Sequence, residues 1–176
     1  PCRPRALTTD EMDQLVHDFI QAVGYAQEAG YDGVELHGGH TYFVGACMSP
    51  STNKRTDKYG GSFEARMKFP TDVITGVAER YPDFPVGVKF SAYEELPEGI
   101  DIPLGLEIAE YLAKLNPAYL HVSATSTSLM IKSRYSSVPH MYVKRNTLMP
   151  LAEKVNEVCP DVPVMGTGGI LLPEEA

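Results

Sequence analysis

Residues 33–66 read GVELHGGHTYFVGACMSPSTNKRTDKYGGSFEAR. Gly33-Val34-Glu35-Leu36 reads as a short strand that runs directly into His37, His40 and Tyr42. A polar loop follows, ends in Tyr59-Gly60-Gly61-Ser62, and opens a helical stretch reaching Arg80. Hydrogen-bond donors gathered at the carboxyl end of a strand, just ahead of a helix, stand where α/β proteins hold their chemistry. The segment predicts a strand–loop–helix unit with its functional groups at the strand exit.

The flanking sequence repeats that unit. Thr8-Thr9-Asp10-Glu11 fits a capping box. Met12, Leu15, Val16, Phe19, Val23 and Ala26 then fall near helical spacing, so a helix is expected to about Ala29, with Gly30 as its carboxyl cap. Pro70, inside the Ser62–Arg80 stretch, marks a kink or a second helix start. Downstream, Pro85–Phe90 reads as a strand, Pro103–Leu115 as a helix, Ala118–Val122 as a strand and Leu148–Val158 as a helix. Pro163–Met165 begins a fourth strand, which enters Gly166-Thr167-Gly168-Gly169. This alternation implies right-handed βαβ units and a parallel sheet. Four strands with their helices make half of an eight-stranded (β/α)8 barrel. An open doubly wound sheet fits the same alternation, and periodicity does not choose between them.

Composition sets the class. The chain has 176 residues, 43% of them hydrophobic, and a net charge of -8, which argues against a nucleic-acid surface. No apolar run approaches the roughly 20 residues that span a bilayer. The opening PCRPRALTTDE lacks the apolar core of a signal peptide. Cys2, Cys47 and Cys159 form no CxxC pair and read as reduced cytosolic thiols. Both ends read as cut, so residues 1–176 are expected to be one partial domain truncated at each end.

Several residues could carry chemistry. If the chain turns at Gly38-Gly39, His37 and His40 can aim two N–H donors at one carbonyl oxygen, stabilising charge as a conjugated system accepts hydride. The phenol of Tyr42 could then supply a proton to carbon. A buried, mutually satisfied histidine pair is the plainer alternative. A zinc site with Glu35 or Cys47 is disfavoured, because HxxH lacks the i, i+4 helical spacing of the common motif; no metal is expected. Lys89 ends a strand and either reaches a mouth where a cation meets an anionic ring or phosphate, or pairs with Glu35. Gly166, Gly168 and Gly169 could bring backbone amides to a phosphate, or form a plain turn. They are not a dinucleotide GxGxxG. The Asn53–Ser62 loop reads as scaffold. Tyr93, His121 and Ser123 are weaker lining candidates near other strand ends.

Taken together, HGGHTYFVGACMSPSTNKRTDKYGGSFEARMKF resembles the signature of the old yellow enzyme family of flavin-dependent NAD(P)H oxidoreductases. More narrowly it resembles the bacterial 2,4-dienoyl-CoA reductase and 2-enoate reductase branch, where a second histidine stands at the place of His40. PRALTTDE, AGYDGVELHGGH, FPVGVKFS, AYLHVSA and PVMGTGGI agree in order, so the resemblance covers essentially the whole chain. It implies an FMN-bearing (β/α)8 TIM barrel of which this chain supplies about strands four to seven. His37 and His40 match the pair that binds the substrate carbonyl, Tyr42 the proton donor, and Lys89 the basic residue beside the flavin. Gly166, Gly168 and Gly169 match the region of the FMN phosphate cradle. The implied reaction is ping-pong: NAD(P)H reduces FMN, and hydride then passes to the β-carbon of an enoate, enone or enoyl-CoA.

Departures from the family pattern are Thr41 for glycine, Gly45-Ala46-Cys47 for Asn-Gln-Phe, Ala65 for asparagine and Lys89 for arginine. The resemblance implies a cytoplasmic enzyme that can be oligomeric, with any 4Fe-4S cluster and FAD held by regions downstream of this chain. Alone, the chain is expected neither to bind FMN tightly nor to turn over. The competing readings are oxidative amine dehydrogenation or demethylation, a flavin-free non-catalytic fragment, and a metal-dependent barrel hydrolase.

Overall fold

The computed structural model describes residues 5–125 and 145–175. In chain order the elements are α1 (Thr9–Glu28), β1 (Val34–Gly38), α2 (Phe43–Met48), α3 (Phe63–Arg80), β2 (Val86–Ser91), α4 (Ile102–Ala113), β3 (Tyr119–Ser123), α5 (Met149–Val158) and β4 (Val164–Met165), followed by a 3-10 turn at Pro173–Glu175. The strands form one parallel sheet in the order β1-β2-β3-β4. A doubly wound sheet would reverse its strand order at a switch point. No reversal occurs among the described strands, so each crossover steps one strand along, as in a barrel wall.

Helix boundaries follow their caps. Thr8 and Glu11 form the predicted reciprocal capping box of α1. Ser62 caps α3 through Ala65 N–H, and Asp101 caps α4 through Leu104 N–H. The α4 cap lies ahead of the Pro103 start read from sequence. Pro70 neither ends nor restarts a helix: α3 runs through it, and the ring is buried. The missing N–H costs one ladder bond, which burial of the ring in the core offsets. The segment read as wholly polar loop after Tyr42 instead begins with the six-residue α2, whose Val44, Cys47 and Met48 are buried.

Period-two alternation sorts the sheet faces. Leu36, Val88, Phe90, Leu120 and Val122 are buried in the apolar core with residues of the helices. Glu35 and His37, Lys89 and Ser91, and His121 and Ser123 occupy the alternate positions. The register places His37 opposite Lys89 and Lys89 opposite His121, so three cationic or ionisable side chains form one rib across three strands. One rib earlier, Gly87 stands between Glu35 and Tyr119. A Cβ at Gly87 would lie 2.1 Å from Cζ of Tyr119, so that ring occupies the space a side chain would fill.

The Asn53–Ser62 loop is a brace, as its sequence suggests. Arg55 donates to the carbonyl of Leu7 at 2.6 Å and pairs with Asp57. Asp57 accepts from Thr9 at 2.6 Å, and Asp13 of α1 takes both Lys58 and the Tyr59 hydroxyl. Along β1, an apolar cleft of about 520 Å³ is lined by Phe19, Val23, Val34, Leu36 and Phe43 together with His37 and Tyr42. Among the described residues, no helix is long and apolar enough to cross a membrane.

Candidate active site

The site is built where β1 leaves the sheet. Gly38 has no room for a side chain: a Cβ would sit 2.8 Å from the Lys89 carbonyl oxygen and 2.9 Å from Cε of Met48. Beyond it, His40 and Thr41 are consecutive left-handed residues, with φ of 57° and 58°. That conformation is strained for a β-branched residue and is the one glycine adopts freely. The turn is held by the Thr41 hydroxyl on the His40 carbonyl at 2.6 Å and by His40 N–H on the Ser91 hydroxyl at 3.0 Å.

The turn gathers three rings. The His37 and His40 centroids are 5.5 Å apart, and the Tyr42 centroid lies 5.3 Å from that of His37. His40 Nε2 is 2.7 Å from the hydroxyl of Ser123, which is fully buried. Tyr42 is 55% exposed, so its phenol is accessible rather than committed to the core. His37, His40, Tyr42 and Lys89 thus come together, and Ser123 joins them as more than a lining residue. Ser91 escaped the sequence reading, although its place two residues after Lys89 puts it on the same face.

Burial, helped by nearby positive charge, keeps both imidazoles neutral. Burial, then the ammonium of Lys89 and the neighbouring His37 and His121, push His40 down to about 4. Burial and Lys89 also lower His37, against a smaller opposing pull from Glu35. Each ring therefore carries one N–H at neutral pH. Stability follows from the sign: His40 binds its proton less readily folded than unfolded, where its ordinary value is about 6.5. Its contribution is complete above about pH 6.5 and is lost as pH falls toward 4. His40→Asn is expected to flatten that part of the stability profile, checked by thermal melts of both proteins from pH 7 to 4; parallel profiles would refute it.

Lys89 makes no ion pair among the described residues. The predicted alternative partner, Glu35, is instead bound to His121, Oε2 to Nδ1 at 2.7 Å. The other ring nitrogen of His121 is buried without a partner among the described residues. Burial and the Glu35 carboxylate raise the Tyr119 phenol above its ordinary value. Gly168 and Gly169 follow β4, two strands from Lys89 at the same sheet end, with φ of 100° and 73°. Gly166 packs closely, a Cβ there lying 2.8 Å from the Met149 sulfur. No group of three or more His, Cys, Asp or Glu able to hold a metal ion occurs among the described residues.

Similarity to known proteins bears on the family and the fold. The model of the NADH:flavin oxidoreductase / NADH oxidase family matches residues 1–176. An NADH oxidase of Thermoanaerobacter brockii is 38% identical over 99% of this chain and 26% of its own length. A 12-oxophytodienoate reductase of Arabidopsis thaliana is 37% identical over 85% of this chain and 39% of its own. Among solved structures, histamine dehydrogenase from Rhizobium sp. 4-9 superposes with a TM-score of 0.86 at 26% identity, covering 99% of this chain and 24% of that one. Morphinone reductase in complex with tetrahydroNAD gives 0.67 at 30% identity, covering 93% and 40%. The chain thus spans between a quarter and two-fifths of the curated relatives described. Its fold is a run of consecutive units of the TIM barrel, and the chain belongs to the NADH:flavin oxidoreductase / NADH oxidase family.

Proposed function

We propose that the protein carrying this chain is an FMN-dependent NAD(P)H oxidoreductase that reduces the activated C=C bond of an α,β-unsaturated carbonyl compound, an enoate, enone or enoyl-CoA. Residues 1–176 would form part of its FMN-binding barrel domain. The observation that carries the reading is the pair of neutral imidazoles, His37 and His40, 5.5 Å apart at a strand exit with Tyr42 beside them.

The residues present fit FMN. Lys89 is a cation without an ion-pair partner among the described residues, suited to the electron-rich edge of a flavin. Gly168 and Gly169 have left-handed backbones and no side chains to keep a phosphate from their amides, and Gly166 seats the turn on Met149. When bound, FMN would supply the hydride it takes from NAD(P)H. His37 and His40 donate N–H to the substrate carbonyl oxygen and hold the charge that gathers there. Tyr42 gives its phenolic proton to the α-carbon.

Similarity to a histamine dehydrogenase raises amine oxidation as a second reading. An amine offers no carbonyl oxygen for two converging donors, so that reaction leaves the histidine pair without a task. The alkene reading uses both. The test is the purified full-length protein, expected to carry FMN and to oxidise NAD(P)H when a simple cyclic enone is added. Tyr42→Phe is expected to slow enone reduction by about a hundredfold while reduction of the bound cofactor by NAD(P)H is unchanged. Absence of flavin, or an amine turned over in place of the enone, would overturn the reading.

A further inference from the structure

Lys89 and Glu35 are placed to neutralise one another. Glu35 faces Gly87 across the β1–β2 ladder, and Lys89 lies two residues further along β2 on the same face. With strands about 4.8 Å apart and a rise of about 3.3 Å per residue, such diagonal neighbours lie about 8 Å apart, within reach of two long side chains. Gly87 presents no side chain between them. An ion pair there would be the default, yet the Glu35 carboxylate reaches past Gly87 to β3 and accepts from His121 Nδ1 at 2.7 Å. Both partners are mostly buried, with side-chain exposures of 27% and 12%. The Tyr119 ring packs over Gly87 on the same rib, and its phenol also interacts with that carboxylate.

We propose that His121 is a positioning residue for Lys89: by holding the Glu35 carboxylate on β3 it keeps the Lys89 ammonium unpaired and available to the electron-rich edge of the cofactor. The inference rests on the reading that Lys89 faces FMN, and it assigns a task to Glu35 and His121 that acts through Lys89. Without His121, the freed carboxylate swings to Lys89 and cancels its charge at short range. Because added electrons make the flavin edge more negative, that loss weakens binding of reduced more than of oxidised FMN.

The experiment uses the full-length protein, with FMN affinity read by fluorescence quenching and midpoint potential by dye equilibration. His121→Leu is expected to weaken reduced FMN about tenfold relative to oxidised, which lowers the two-electron midpoint by about 30 mV. Glu35→Gln alone is expected to leave both readouts within twofold of wild type, since no carboxylate remains to restrain. Glu35→Gln combined with His121→Leu is expected to recover wild-type values. His121→Gln, whose amide can still donate to Glu35, is expected to stay near wild type and serves if the leucine variant fails to fold. A purely structural role predicts the opposite: Glu35→Gln and the double variant would be as impaired as His121→Leu, and that result would overturn the inference. Wild-type protein that binds no FMN would instead overturn the proposed function, so the two failures are distinguishable.

Discussion

Replacing both histidines of the site, His37→Ala with His40→Ala, is expected to lower kcat/KM for an enone by about 10³–10⁴. Removing one preorganised oxyanion donor typically costs about 10²–10³. Two donors that act on one oxygen do not contribute additively, so the double loss falls short of the product. The expectation depends on both rings being neutral and near one another, which burial and the Lys89 ammonium enforce. It also depends on the His40 ring being fixed. Its Nε2 meets the buried Ser123 hydroxyl at 2.7 Å, and its backbone N–H meets Ser91, so little reorganisation is left for the reaction itself. Steady-state kinetics of the single and double variants, with flavin content measured alongside, decide the matter. A double variant within tenfold of wild type and fully loaded with flavin would show that the carbonyl is held elsewhere.

The parts of this site that were legible in the sequence are those set by local periodicity. The strand Val34–Leu36, the glycine turn and the three rings after it lie within one short segment, so the chemistry of His37, His40 and Tyr42 could be read directly. The face of Lys89 followed from alternation along β2. What could not be read depends on register between strands far apart in sequence. Ser91 reaches the His40 amide across 51 positions, and Glu35 reaches His121 across 86. The pairing of Gly87 with both Glu35 and Tyr119 leaves no side chain on β2 between Glu35 and β3, and that follows only from the register. Helix α2 escaped for another reason: six residues with no side-chain cap give too short a pattern to separate from loop. The second helix start read at Pro70 does not occur, because burial of the ring in the core offsets one missing backbone bond.

Asn53→Leu is expected to cost the fold about 3–5 kcal/mol. Asn53 is 8% exposed and sits inside the loop that joins α2 to α3. Its amide donates to the carbonyls of Cys47 and Tyr59 at 2.6 and 2.7 Å, and its Oδ1 accepts from Arg55 N–H at 3.1 Å. Leucine has similar bulk but leaves these three backbone groups without that partner, and each buried unsatisfied group costs about 1–3 kcal/mol. Partial relaxation toward water lowers the sum into the stated range. The contrast is Lys54 next door, whose bridge to Glu98 joins side chains that are 61% and 78% exposed. Solvent screens that pair and ordering two long chains opposes it, so Lys54→Ala is expected to leave the unfolding midpoint unmoved. Urea unfolding of both variants in the full-length protein separates the two mechanisms. The same brace fixes the carboxyl end of α2, whose amino end carries Tyr42, so the asparagine variant should also lose enone turnover before it loses bound flavin. A loss below about 1 kcal/mol for Asn53→Leu would mean that water replaces the side chain, and that the loop is held mainly by Arg55 and Asp57.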